Sequence, residues 1–218
     1  PITSTIEEAQ QLVDIAKANN ATLQIGHLER FNPAIMAVQH VLSEPRFIES
    51  HRVAPFNPRG ADVNVVLDLM IHDIDIILNF VGSPVQHIDA SGVPVLSDDV
   101  DIANVRIQFE NGCVANVTAS RVSLKSERKM RIFQHDTYVT IDFQNKQLGI
   151  HRKGEGEMFP GVADIESKEQ VFEQGDALLS EIDAFLTSIN TRQPPVVSGE
   201  DGLRALKTAN EITDLLSK

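Results

Sequence analysis

Residues 65–80 read Val-Val-Leu-Asp-Leu-Met-Ile-His-Asp-Ile-Asp-Ile-Ile-Leu-Asn-Phe, and this stretch decides the fold. Val66, Leu67, Leu69, Met70, Ile71, Ile74, Ile77 and Leu78 are spaced so closely that they cover most of a helical surface, so the helix must lie in a core. Gly82-Ser83-Pro84 ends it, and from Val85 onward the apolar period changes from helical to alternating. Strands are expected at 85–93, 103–109, 114–122, 131–135, 138–143 and 148–152. Glu110-Asn111-Gly112 suits a hairpin turn, because asparagine and glycine tolerate positive backbone angles. Strands in succession joined by tight turns give a mainly antiparallel sheet.

Working outward, Thr3, Ser4 and Thr5 followed by Glu7 and Glu8 form a helix cap with an acidic first turn. Ile6, Ala9, Leu12, Val13, Ile15 and Ala16 supply that helix with an apolar face, and Asn19-Asn20 ends it. Residues 21–25 then read as a short buried strand running into Gly26-His27. A helix and a strand without a partner resemble the end of a repeating α/β unit, so residues 1–30 are expected to be the tail of an α/β domain. Residues 31–218 are expected to form an α+β domain. Within it, Asn32-Pro33 opens a helix over 34–42, and 47–56 is a strand carrying His51 and Arg52. Residues 55–60 form a loop, 153–170 form a charged, glycine-bearing surface loop, and helices over 177–190 and 203–216 close the chain. The fold class is therefore α+β: an open, mainly antiparallel sheet with helices on one face, preceded by the last helix and strand of a truncated Rossmann domain.

With 218 residues, 42% of them hydrophobic and 23% charged, the chain can bury one sizeable core. Its net charge of -12 repels a phosphate backbone, which argues against nucleic acid as a partner. Cys113 is the sole cysteine, which rules out an internal disulfide and a cysteine-rich zinc site. No apolar run approaches the roughly 20 residues that span a bilayer and no signal segment opens the chain, so a cytoplasmic location without membrane contact is expected. The glycine-rich turn that binds a dinucleotide pyrophosphate is also missing.

Charged groups on a buried helix cost several kcal/mol unless they are paired or face a polar cavity, which draws attention to Asp68, His72, Asp73 and Asp75. Asp68 and His72 stand four residues apart, a spacing at which a carboxylate orients an imidazole for acid-base work. The same spacing also fits a buried pair that only stabilises the core. A metal site would draw on Asp68, His72 and Asp75 together with His27 or His51, yet the ligand spacings typical of metal sites are lacking, and no metal is expected. Arg30 and Asn32 read equally as ligand contacts or as a surface salt bridge and a helix cap. Arg59 reads as a solvated charge or a phosphate contact. Lys125, Arg128 and Lys129 read as a solvated turn.

Four pieces of the chain together resemble the Gfo/Idh/MocA oxidoreductases, the family of glucose-fructose oxidoreductase and inositol dehydrogenase. Pro1 resembles the proline of the family's Glu-Lys-Pro motif, and residues 2–20 resemble the segment directly after that motif. Gly26-His27-Leu28-Glu29-Arg30-Phe31-Asn32-Pro33 resembles its crossover between domains. Asp68-x-x-x-His72 followed by Asp75 resembles its acid-base helix. Residues 181–185, then Pro194-Pro195 and Gly199-Glu200-Asp201-Gly202-Leu203-Arg204-Ala205-Leu206, resemble its C-terminal signature. The resemblance implies a dehydrogenase using NAD or NADP, with His72 as acid-base residue, Asp68 as its partner, and a lysine one position ahead of Pro1. It further implies that residues 1–30 are the remnant of a nucleotide-binding domain, that residues 31–218 form a substrate-binding and oligomerisation domain, and that Arg30, Asn32 and Arg59 contact substrate. Lacking the glycine fingerprint and the lysine, the chain alone is expected to hold no cofactor tightly and to show no turnover.

Residues 54–60 leading into 68–75 most resemble the branch that oxidises the 3-hydroxyl of a UDP-N-acetylhexosamine. The 3-keto sugar so formed would feed an aminotransferase in lipid A or surface polysaccharide synthesis. An inositol-type polyol is the alternative substrate, and a non-enzymatic assembly module is the alternative role. The family also implies a homo-oligomer formed through the outer face of the sheet, with Val117 or Ile141 at the interface if they face outward.

Overall fold

A computed structural model describes residues 1–58, 63–173 and 175–217. Helix α1, Ile6–Ala18, begins at a capping box in which Thr5 and Glu8 satisfy each other's backbone N–H groups. Residues 21–25 do not form the expected strand. A strand needs a neighbouring ladder, and here the extended backbone makes a single bridge, Gln24 with Ser198, while Ile25 N donates to Val197 O at 3.0 Å. A 3-10 turn over Leu28–Phe31 follows. Helix α2, Pro33–Val38, is shorter than expected and is capped by Asn32.

Among the described residues the sheet has eight strands: β1 Phe47–Val53, β2 Val85–Val93, β3 Ile102–Phe109, β4 Val114–Ser120, β5 Glu127–Gln134, β6 Thr137–Asp142, β7 Gln147–Phe159 and β8 Val162–Val171. Their order is β2-β3-β4-β1-β5-β6-β7-β8. Of these described pairs only β1–β4 is parallel, so the sheet is mainly antiparallel as the alternation implies. Gly112, at φ +84°, makes the β3–β4 turn possible.

The expected loop over 153–170 is instead most of the β7–β8 arm. Lys153 pairs with Ile165 and Phe159 with Val162 around a turn with Gly161 at φ +76°. Beyond Arg152 the arm is largely exposed on both faces, so no apolar alternation is required of it. Arg128 and Lys129 belong to β5 rather than to a solvated turn, and their backbones pair with β1.

Between β1 and β2 lies the buried helix, in two parts. A π-turn over Val66–Met70 leads into α3, Ile71–Val81, which ends on Gly82 at φ +59°. Asn64 starts the turn by accepting from Val66 N and Leu67 N at 3.0 and 3.1 Å. Helices α4, Ala177–Thr191, and α5, Gly199–Leu216, complete the chain. Helix α5 begins earlier than expected because Ser198 and Asp201 form a second capping box.

The main core lies between α2, α3 and α5 and the inner face of the sheet, where Ile35, Ile74, Ile77, Ile48, Val105 and Ile132 are buried. Val117 and Ile141 belong to this inner face, so they are not outward interface residues. Polar cross-strand pairs occupy the outer face instead. Asn104 Nδ2 donates to Thr118 Oγ1 at 2.8 Å, and Arg131 pairs with Glu49. Beside them runs an aromatic row of Phe47, Phe133, Tyr138 and His151, with centroid spacings of 5.9, 5.7 and 4.3 Å.

Candidate active site

The 3-10 turn is fastened to α3 by two buried ion pairs that flank His72. Arg52, on the inward face of β1, donates from Nε and Nη2 to Asp73 at 2.8 and 3.0 Å, and from Nη1 to Glu29 Oε1 at 2.8 Å. Arg30 donates from Nε and Nη2 to Asp75 at 2.7 and 3.3 Å. All four partners of these forks are nearly inaccessible to solvent, which explains how a buried helix tolerates Asp73 and Asp75: each carboxylate is met by a guanidinium of matching geometry. Arg52 is also stacked over Phe143 at 5.5 Å and was not among the expected site residues. Strand parity offered the signal, since Ile48, Ser50 and Arg52 share the core face, and a charge at a core position requires a buried partner.

His72 is half-buried with Nδ1 turned inward, where that atom has no hydrogen-bond partner. The inward turn leaves Nε2 on the side that solvent reaches. Asp68 is half-buried in the π-turn. Asp68 N bonds to Asn64 O at 3.1 Å while Ile71 N reaches back to Val66 O, and no hydrogen bond reaches His72 Nδ1. His27 lies beside His72 instead, with ring centroids 6.2 Å apart and planes at 84°.

Burial, then the Arg52 charge and His27, push the His72 imidazole down to about 4, against the opposing pull of Glu29. Burial also lowers His27, with Asp75 and Asp201 opposing. Both rings are therefore neutral near pH 7, and a neutral imidazole can accept a proton.

The remaining expected residues are dispersed in role. Arg30 is committed to Asp75, with Asp201 3.9 Å away. Asn32 uses both ends of its side chain within the fold, accepting from Ala34 N at 3.1 Å and donating to Phe143 O at 3.2 Å. Arg59 lies outside the described residues. His51 is exposed on the outer face of the sheet, away from His72. Among the described residues no group of three or more His, Cys, Asp or Glu side chains is placed to hold a metal ion. No helix among them is long and apolar enough to cross a membrane.

A dinucleotide fits these residues poorly. Its pyrophosphate needs a glycine-rich turn at a helix start, and helix α1 opens instead on Thr5 and Glu8, whose side chains already occupy the free N–H groups.

The chain and its fold have relatives among known proteins. The profile of the GFO/IDH/MocA C-terminal domain matches residues 36–139. UDP-N-acetylglucosamine 3-dehydrogenase of Acidithiobacillus ferrooxidans is 38% identical over 213 residues, covering 97% of this chain and 68% of that protein. A solved structure of the same enzyme superimposes with a TM-score of 0.92 at 37% identity, covering 99% of this chain and 69% of that one. Myo-inositol 2-dehydrogenase of Thermotoga maritima is 21% identical over 225 residues, covering 94% of this chain and 65% of that protein.

Proposed function

Since the chain belongs to the GFO/IDH/MocA family of oxidoreductases, we propose that it is the substrate-side, acid-base portion of a sugar dehydrogenase acting on the 3-hydroxyl of a UDP-N-acetylhexosamine. The observation that carries this reading is the placement of His72: a neutral imidazole on a rigid, buried helix, with one nitrogen inward and the other accessible. In this reading His72 Nε2 takes the hydroxyl proton as the sugar is oxidised. Asp68 supports it electrostatically. Arg30 and Arg52 act from beneath by holding the 3-10 turn and β1 against α3, and Asn32 fixes the start of α2. Arg59 is assigned to the diphosphate of the substrate.

The hydride acceptor, NAD or NADP, would supply the redox chemistry when bound, but the described residues form no pyrophosphate site for it. The uncovered outer face of the sheet is assigned to self-association through its polar pairs and aromatic row.

A UDP-sugar is favoured over an inositol by the 38% identity to the UDP-N-acetylglucosamine enzyme, against 21% to the inositol enzyme. Calorimetric titration with UDP-N-acetylglucosamine and with myo-inositol separates the two. Saturable heat with the UDP-sugar alone is expected, and saturable heat with myo-inositol alone would reverse the assignment.

A further inference from the structure

His27 is the buried residue at this site to which the acid-base reading gives no task. It is 3% exposed and caps the start of the 3-10 turn, and its Nε2 is buried without a hydrogen-bond partner. The inward Nδ1 of His72 is in the same condition. Buried nitrogens without partners are rare in folded proteins, and each asks for a reason. These two lie on neighbouring rings, with centroids 6.2 Å apart, that meet edge to face. A hydrogen bond between two imidazoles, with nitrogens about 3 Å apart, needs the rings roughly 1 Å closer. Closing that gap would give both nitrogens the partner they lack.

We propose that His27 is the proton relay of this site, accepting at Nε2 the Nδ1–H of His72. The inference rests on His72 being the acid-base residue. With its proton on Nδ1, His72 presents a bare Nε2 to the substrate hydroxyl. The O–H bond breaks and an N–H bond forms at His72 Nε2. The N–H bond at His72 Nδ1 then breaks, and one forms at His27 Nε2. No electrons leave either ring, and the positive charge moves from His72 to His27.

The surrounding charges favour that direction. His72 faces the Arg52 guanidinium from β1, which disfavours a cation there, and Glu29 from the 3-10 turn, which only partly offsets it. His27 faces Asp75 from α3 and Asp201 from α5, which favour a cation, with Arg30 opposing. The carboxylates thus stand at the far end of the path and the guanidinium at the near end.

Nitrogen NMR of the histidine-labelled protein at neutral pH tests the relay. His72 is expected as the Nδ1–H tautomer, whereas a free neutral imidazole favours Nε2–H. His27→Phe keeps an aromatic edge but removes the acceptor, and should return His72 to the Nε2–H form. His27→Gln offers an oxygen acceptor and should retain Nδ1–H. If His27→Phe does not fold, the wild-type tautomer and His27→Gln still decide. An Nε2–H signal for His72 in the wild type, or a tautomer unaltered by His27→Phe, would overturn the proposal. Adding UDP-N-acetylglucosamine separately tests the underlying reading. A shifted His72 signal supports that reading whatever the tautomer, and an unshifted one refutes it.

Discussion

Arg52 and Asp73 form a two-pronged ion pair at 2.8 and 3.0 Å in which neither partner is more than 3% exposed, and Asp73 immediately follows His72 in sequence. A buried pair of this kind is costly to break on one side, because the survivor is left charged in a medium that solvates it poorly. Arg52→Met is therefore expected to destabilise the protein by about 3–5 kcal/mol in chemical denaturation. Arg52→Met combined with Asp73→Leu should recover much of that loss. A double variant no more stable than the single one would show that the pair is not what fastens β1 to α3.

Removing Arg52 should also raise the His72 pKa, since the guanidinium is the largest charge holding it down. Histidine NMR of Arg52→Met reads this directly, and an unchanged His72 titration would contradict it.

Stability should fall on mild acidification. His72 has a folded pKa of about 4 against an ordinary 6.5, and His27 is lowered as well, so the unfolded chain binds more protons than the folded one below pH 6.5. The stability these rings contribute is complete above pH 6.5 and is lost as pH falls toward 4. Asp101 acts in the same direction at lower pH. Burial alone would raise it, but N–H groups of Leu96 and Ser97, the Ser97 hydroxyl and Arg121 hold it below the carboxylate range. Denaturation midpoints measured from pH 7 to pH 4 should decline, and His72→Asn should flatten part of the decline.

Gly202 and Gly199 explain the Gly-Glu-Asp-Gly run at the start of α5. A Cβ on Gly202 would stand 2.8 Å from Ile25 Cγ1, and one on Gly199 would stand 2.6 Å from Leu23 Cδ2. Gly202→Ala should cost about 1–3 kcal/mol, the usual penalty of overpacking, read as a lower denaturant midpoint. No loss would mean that residues 23–25 yield easily.

Much of this architecture was legible in the sequence because packing imposes a period. Helix α3 shows as an apolar surface broken only by paired charges, and β2 to β6 show as alternation, since one face of each meets the core. The base of β7, where Leu148 meets the core, shows as the expected strand over 148–152, but the arm beyond it does not: its residues are largely exposed, and backbone pairing defines it. Residues 21–25 have the composition of a strand, but among the described residues their backbone finds only a single bridge to Ser198 and one bond to Val197 in place of a ladder. At the site, His72 and its neighbouring carboxylates are readable from charge on a buried helix. The proximity of His27 and Arg52 is not, because turn and strand reach α3 only through tertiary contacts.

The most direct test of His72 as the acid-base residue is the rate of UDP-N-acetylglucosamine oxidation by the enzyme carrying this chain together with a dinucleotide-binding domain. His72→Asn should lower the rate by roughly 10²- to 10⁴-fold, the usual worth of a positioned general base, while substrate binding is retained. Asp68→Asn should cost less, and the two changes combined should fall short of adding. A His72→Asn enzyme that keeps the full rate and loses only thermal stability would contradict the assignment.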